Sequence, residues 1–350
     1  MKKEFTKSDT GLVKGIAIIL LLAYHLFTNE QWLSELEVVY APLSKEMLLL
    51  ICGFGNICVA VFLFLSAYGM TKGFMAVPDT ESSLKTYLKR SGLRLGKLTA
   101  NFVAMYVSVN LLWFGKFNYK GLYGEGYQGI LSAVLDGTGF SSLLDTPMLN
   151  PTWWYMELAI LLIFAVPFLY AAVKKLGSYI LAPMLLLPFV FTLEPDVKRY
   201  FLVAAAGCVC ACEGWFEKIF AWRVHTAFKA LAGVLLLAVT VLVRQNYMVY
   251  NQFAWVADVP AAMVVIWFGA ELLGRIPVLS NVLKFIGRHS MNIFFVHTFF
   301  YMMLYRQFIY SFRYAGLILL VLLAISTLYS VILETIKHIL LKVIYGLSKR

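Results

Sequence analysis

Apolar runs of sixteen to about twenty-four residues alternate with polar connections along almost the whole chain. About twenty apolar residues in a helix cross a hydrocarbon core about 30 Å thick. The pattern therefore predicts an all-α polytopic membrane protein, a bundle of about ten transmembrane helices. The first ends near Phe27. The others cover about 47–70, 98–115, 152–173, 178–193, 200–216, 228–243, 256–274, 290–306 and 314–336. Ser8, Asp9 and Thr10 offer caps for the first helix, and Pro183 and Pro188 predict a kink in the fifth. One connection, 116–151, is long, rich in Gly and Tyr, and carries Glu125, Asp136 and Asp145. At that length it is expected to be a functional outer loop or a re-entrant one. Residues 244–255 read as a short outer turn.

Charge orients the bundle. Lys2, Lys3, Lys7 and Lys14 open the chain, and Lys72, Lys85, Lys89, Arg90, Arg94 and Lys97 form the most basic connection. Lys174–Lys175, Lys218 with Arg223 and Lys229, and Arg275 with Lys284, Arg288 and His289 follow at alternate turns. By the positive-inside rule these turns and both termini are cytoplasmic. Lys198–Arg199, Arg306 and Arg313 fall on the outer side against the rule. With 61% hydrophobic and 14% charged residues, the chain is no ordinary soluble protein, which averages roughly 45–50% and 25%. The net charge of +11 serves orientation and lipid headgroups; nucleic acid is not an expected partner. The 20 Tyr, 27 Phe and 8 Trp suit interfacial belts and an aromatic-lined cavity. Five cysteines show no metal spacing. Cys208, Cys210 and Cys212 alternate in an apolar run and read as small buried side chains. No small-x-small cleavage site follows the first segment, which is expected to stay as an anchor. No repeat or separate soluble domain is visible, so residues 1–350 read as one transmembrane domain in a multi-pass cell-membrane protein.

Ionisable residues inside apolar runs are costly and mark function by default. Lys14 and His25, in KGIAIILLLAYH, are eleven positions apart, so on a helix they share a face about 16 Å apart along the axis. A histidine is the side chain best matched to general-base work near neutral pH. In the bland reading Lys14 snorkels to the surface and His25 bonds a neighbouring helix. Glu157 sits at the depth of His25 and is suited to orient an imidazole; its alternative is a carboxylate satisfied by Tyr or Trp donors. Ser290 and His297 share a helix face seven residues apart. Ser290 also reads as the N-cap of the ninth helix, whereas packing alone does not explain His297. Arg90, Arg94 and Lys97 with Lys14 could gather phosphates at one membrane face, or be plain positive-inside charge. No Walker loop, GxGxxG, HExxH or paired-cysteine metal motif occurs.

Five stretches in order resemble the integral-membrane acyltransferase family 3. They are Lys14 and His25 spaced by ten residues, FLFLSAYG at 62–69, Arg94-Leu95-Gly96-Lys97, Trp153 and Trp154 with Glu157, and Ile286-Gly287 with Ser290, Ile293, Phe294 and His297. The family pattern has arginine at the positions of Lys14 and Lys97 and glycine at that of Ala67. A lysine keeps the charge but not the bidentate fork. No SGNH-type esterase domain accompanies the bundle.

The resemblance implies transfer of an acyl group, most often acetyl, from cytoplasmic acyl-CoA to a hydroxyl of a cell-surface glycan or a lipid-linked glycan across the membrane. It implies Lys14, Arg94 and Lys97 at the anionic donor, His25 as general base with Glu157 orienting it, and Trp153, Ser290 and His297 as acceptor or positioning residues. Acyl-CoA is then a co-substrate, with no bound cofactor or metal, and a bacterial plasma membrane is the expected location. The competing reading from the residues alone is a transporter or flippase for a polar or lipid-linked glycan. A regulatory membrane subunit is the third.

Overall fold

The computed structural model describes residues 4–192, 194–245 and 247–347. It is 83% helical, without a strand among the described residues, as an apolar chain with no water to satisfy its backbone requires. It divides into two compact units, Met1–Ser91 with Leu162–Ser290 and Gly92–Leu161 with Met291–Arg350. In chain order the helices are α1 (Lys7–Phe27), α2 (Glu30–Ser34), α3 (Lys45–Phe54), α4 (Cys58–Met75), α5 (Leu84–Leu112), α6 (Tyr119–Tyr123), α7 (Gly126–Thr138) and α8 (Tyr155–Leu176). They continue as α9 (Leu181–Val190), α10 (Pro195–Glu213), α11 (Trp215–Phe220), α12 (Thr226–Gln245), α13 (Tyr247–Glu271), α14 (Pro277–Thr298), α15 (Arg306–Tyr310) and α16 (Ala315–Leu347).

Among the described residues, seven stretches are long and apolar enough to cross a membrane: Lys7–Phe27, Lys45–Met75, Leu84–Leu112, Pro151–Val190, Thr226–Arg244, Phe253–Arg275 and Ala315–Ile344. The chain is a multi-pass membrane protein. Of the ten expected helices, α9 joins α8 through a 3-10 turn, Gly177–Ile180. α10 and α14 carry Asp196, Lys198 and Arg199, and Lys284, Arg288 and His289, which keep them outside that set.

Several expected boundaries move, for one recurring reason: charged helical turns read as loops. The basic connection ends at Leu84, so Lys85, Lys89, Arg90, Arg94 and Lys97 ride on the first four turns of α5. α14 begins at Pro277, a residue favoured in a first helical turn, and Ser290 is a buried mid-helix residue. Ser290 is therefore no N-cap. The expected outer turn at 244–255 is mostly helix, since α12 runs to Gln245 and α13 starts at Tyr247, bending at Phe253 (φ −126°, ψ 17°). α16 continues to Leu347, past Lys337, His338 and Lys342.

In the first unit, α1 is enclosed on all sides. From Asp9 to Phe27 no residue is exposed, as expected of a helix apolar around its circumference. A capping box starts it: Asp9 N–H donates to Thr6 Oγ1, and Thr6 N–H donates to Asp9 Oδ2. Small residues then let backbones touch. A Cβ added to Gly287 would lie 1.8 Å from Gly11 O, and one on Gly15 2.1 Å from Leu283 O. Beside the last turns of α1, a Cβ on Gly55 would lie 2.2 Å from Leu20 O. On α10, Cys208 and Cys210 are buried free thiols, the small-residue role read from the sequence.

Buried ion pairs join α12 to α13 at both ends. Lys229 Nζ lies 2.8 Å from Glu271 Oε1, an oxygen that also accepts from Arg275. At the other end Arg244 pairs with Asp258 and donates to Asn56 Oδ1. Arg199 Nε approaches Asp258 Oδ2 at 3.3 Å. Arg199, which the charge rule misplaces, is thus neutralised by a buried carboxylate.

In the second unit, α5 and α16 meet through Lys337 Nζ, which donates to Asn101 Oδ1 at 2.6 Å, and through a hydroxyl pair between Ser108 and Tyr329. The connection at 116–151 is organised, containing α6, α7 and a buried polar knot. Asp136 is 1% exposed and accepts from Tyr123 OH at 2.5 Å and from Leu149 N–H at 2.7 Å. Burial pushes its carboxyl up to about 6 and raises the Tyr123 phenol.

Candidate active site

Both ionisable residues of the first apolar segment lie on one unbroken helix. Lys14 and His25 are half-buried on α1, so the shared face and the separation of about 16 Å follow from helix geometry. Between them on that face, Ile18 and Leu21 are fully buried. His25 stands in the last turn, where the Tyr24 ring meets it edge-on at 5.5 Å.

The second unit holds Arg94, Lys97, Trp153, Glu157 and His297; Lys14, His25 and Ser290 belong to the first. Arg94 is half-buried and Lys97 exposed on α5, three residues apart and on one side of the helix. Glu157 lies in the first turn of α8, where the helix dipole favours a carboxylate. Its Oε2 accepts from Ser142 Oγ at 2.7 Å. This donor is a serine from the organised connection, not the Tyr or Trp of the alternative reading.

Trp153 and His297 are brought together through one turn of α14. The buried Trp153 donates its indole N–H to Phe295 O at 2.9 Å, and Asn150 Nδ2 donates to the same carbonyl at 3.3 Å. Thr152 Oγ1 lies 3.0 Å from Thr298 Oγ1, and Asn150 Oδ1 accepts from Thr152 N–H and Oγ1. The stretch Asn150-Pro151-Thr152-Trp153 is therefore a clamp on residues 295–298. Beyond it α14 widens into a π-helical turn, Phe299–Leu304, an irregularity often found at functional sites. His297 is fully buried, stacked on Tyr301 at 5.7 Å and 12°. Its Nδ1 lies 2.7 Å from Phe294 O. A carbonyl only accepts, so Nδ1 carries the hydrogen and a neutral ring keeps its lone pair on Nε2. Asn150 and Thr152 escaped the sequence reading. An Asn-Pro-Thr string, with a capping residue before a proline, is the pattern that points to them.

The seven long apolar stretches among the described residues define a polytopic membrane protein, and it keeps a lysine and a histidine on one enclosed helix, a second histidine fully buried, and a carboxylate at a helix start. The family model described as an acyltransferase domain, that of acyltransferase family 3, matches residues 11–335. The chain belongs to that family and is an acyltransferase. No curated protein and no solved structure gives a significant match.

Proposed function

We propose that this protein transfers an acyl group, acetyl in the simplest case, from cytoplasmic acyl-CoA to a hydroxyl of a cell-surface or lipid-linked glycan on the opposite side of a bacterial plasma membrane. The observation that carries the reading is His25: a titratable, half-buried imidazole in an enclosed apolar helix, on the same face as Lys14. Such a residue is expensive to keep in a membrane without a task.

In this mechanism cations bind the anionic end of the donor, with Lys14 the candidate in the first unit and Arg94 and Lys97 the candidates in the second. His25 removes the proton of the acceptor hydroxyl as its oxygen attacks the thioester carbonyl. The tetrahedral intermediate collapses with cleavage of the carbon–sulfur bond. The imidazolium returns the proton, and CoA leaves as its thiol. Glu157 is the proposed orienting carboxylate, and Trp153, Ser290 and His297 are the proposed positioning residues for acceptor and donor. The fixed Nδ1–H of His297 suits a ring that offers Nε2 as an acceptor to a hydroxyl or amide.

The test is transfer of labelled acyl groups from acyl-CoA by purified, membrane-inserted protein. His25→Ala is expected to lower the rate by about 100-fold or more, the typical contribution of a general base. A correctly inserted His25→Ala protein with the normal rate would overturn the assignment.

A further inference from the structure

α16 is mostly Leu, Ile and Val, yet the side it buries in the second unit turns polar halfway along the helix. Ser326 and Ser330 are both fully buried, and Glu334 and Lys337 continue the same stripe at helical spacing. These side chains join a track of hydrogen bonds. Lys337 Nζ donates to Asn101 Oδ1 at 2.6 Å and to Glu334 Oε1 at 2.7 Å. From α14, Asn292 Nδ2 donates to Glu334 Oε1 at 2.8 Å and to Ser330 Oγ at 3.0 Å. From Lys337 to Ser326 the stripe covers about 16 Å of helix axis, and it ends near the middle of the membrane span Ala315–Ile344. At its other end, Asn101 lies on the side of α5 that also bears Lys97 and Arg94, four and seven residues earlier.

Two atoms on this track are buried polar groups with nothing to bond. A carboxylate only accepts, so the amide nitrogen of Asn292 must face Glu334, and its carbonyl Oδ1 is left without a hydrogen-bond partner. Asn292 is 3% exposed. The Ser326 hydroxyl is likewise buried and unpartnered. The Ser326 hydroxyl does not serve the packing of α16, since an alanine there would avoid the penalty of an unsatisfied polar atom. A buried acceptor and a buried hydroxyl, aligned with a basic helix face, match an extended ligand that is anionic at one end and carries secondary amides along its length.

We propose that the α14–α16 seam is the seat of the amide-bearing pantetheine arm of the acyl donor. Asn292 Oδ1 accepts from an arm amide N–H, and Ser326 Oγ donates to an arm carbonyl. Lys337 extends the cationic face of Arg94 and Lys97 at the phosphate end. The inference rests on the acyl-CoA reading above and adds residues that reading does not use.

Binding of acetyl-CoA and of adenosine 3′,5′-bisphosphate, which lacks the arm, is measured on the full-length protein in nanodiscs, together with its melting temperature. Ser326→Ala removes an unsatisfied hydroxyl, so a merely structural serine would leave acetyl-CoA binding unchanged and the melting temperature equal or higher. The proposal expects Ser326→Ala and Asn292→Ala each to weaken acetyl-CoA binding about tenfold, or about 1.4 kcal/mol. Bisphosphate binding should stay as in the wild type. If Asn292→Ala fails to fold, Ser326→Ala carries the test, with Ser326→Leu, which replaces the hydroxyl by a larger apolar side chain, expected to abolish acetyl-CoA binding. Wild-type affinity for acetyl-CoA in folded Ser326→Ala and Ser326→Leu would overturn the proposal while leaving the donor reading intact. A wild-type protein that does not bind acetyl-CoA would overturn both.

Discussion

Gly287→Ala is the sharpest perturbation the fold offers. The added Cβ would sit 1.8 Å from Gly11 O, with Gly15 N at 2.9 Å, and all these atoms are backbone. Real Cβ atoms essentially never approach closer than 3.0 Å, so from 1.8 to 3.0 Å α14 must retreat from α1 by at least about 1.2 Å. Overpacking of this kind costs about 1–3 kcal/mol. The displaced helix is the one that carries Ser290, Asn292 and His297, and misplacing reacting groups by about 1 Å can cost 100-fold in rate. Gly15→Ala meets Leu283 O at 2.1 Å and should behave alike. Gly11→Ala should not, because a Cβ there has nothing within 4 Å even though its carbonyl forms the contact. Helix propensity alone would make that change neutral or stabilising by up to about 1 kcal/mol. The assay pairs thermal unfolding in detergent with acyl transfer by each variant. A Gly287→Ala protein with wild-type melting and rate, or a Gly11→Ala protein as damaged as Gly15→Ala, would refute the backbone contact.

Two further outcomes follow from buried charge. Asp136 titrates near 6 in the folded protein against 3.8 normally, so the folded state binds the extra proton between those values. Stability should then fall as pH rises from about 4 to about 6, by about 3 kcal/mol, and stay level above. Asp136→Asn should flatten that slope in a pH series of melting curves; an unchanged slope would show that Asp136 is not its source. At Glu271, loss of one partner leaves a charge buried: Glu271→Gln or Lys229→Met should each destabilise by about 3–5 kcal/mol. Combining both should recover much of that loss, and simple additivity would argue against the pair.

The chain's pattern made the end of α1 legible to the residue, because sixteen apolar or small positions surround only Lys14 and His25 from Gly11 to Thr28; its start was not, since the N-cap is Thr6 and the expected caps Ser8, Asp9 and Thr10 lie inside the helix. It also made legible the order of the family's short motifs. Charged helical turns were harder. The first turns of α5 and α14 carry the cations that a hydropathy reading assigns to loops, which hid the start at Pro277 and made Ser290 look like a cap. Long-range pairing was invisible: nothing local in the sequence links Arg199 or Arg244 to Asp258. The clamp of Asn150 and Trp153 on Phe295 O was hidden for the same reason, since its partners are 145 and 142 residues apart.

The paired ends of α12 and α13 bear on how the chain enters its membrane. Taken singly, α12 would bring Lys229 and Arg244 towards lipid and α13 would bring Asp258 and Glu271, and each charge would oppose partition, by less than the roughly 2.5–3.5 kcal/mol of a charge at a helix centre. Antiparallel and together, the two helices carry their counter-ions with them. Inserted as a hairpin, α12 and α13 would leave none of these four charges without its counter-ion.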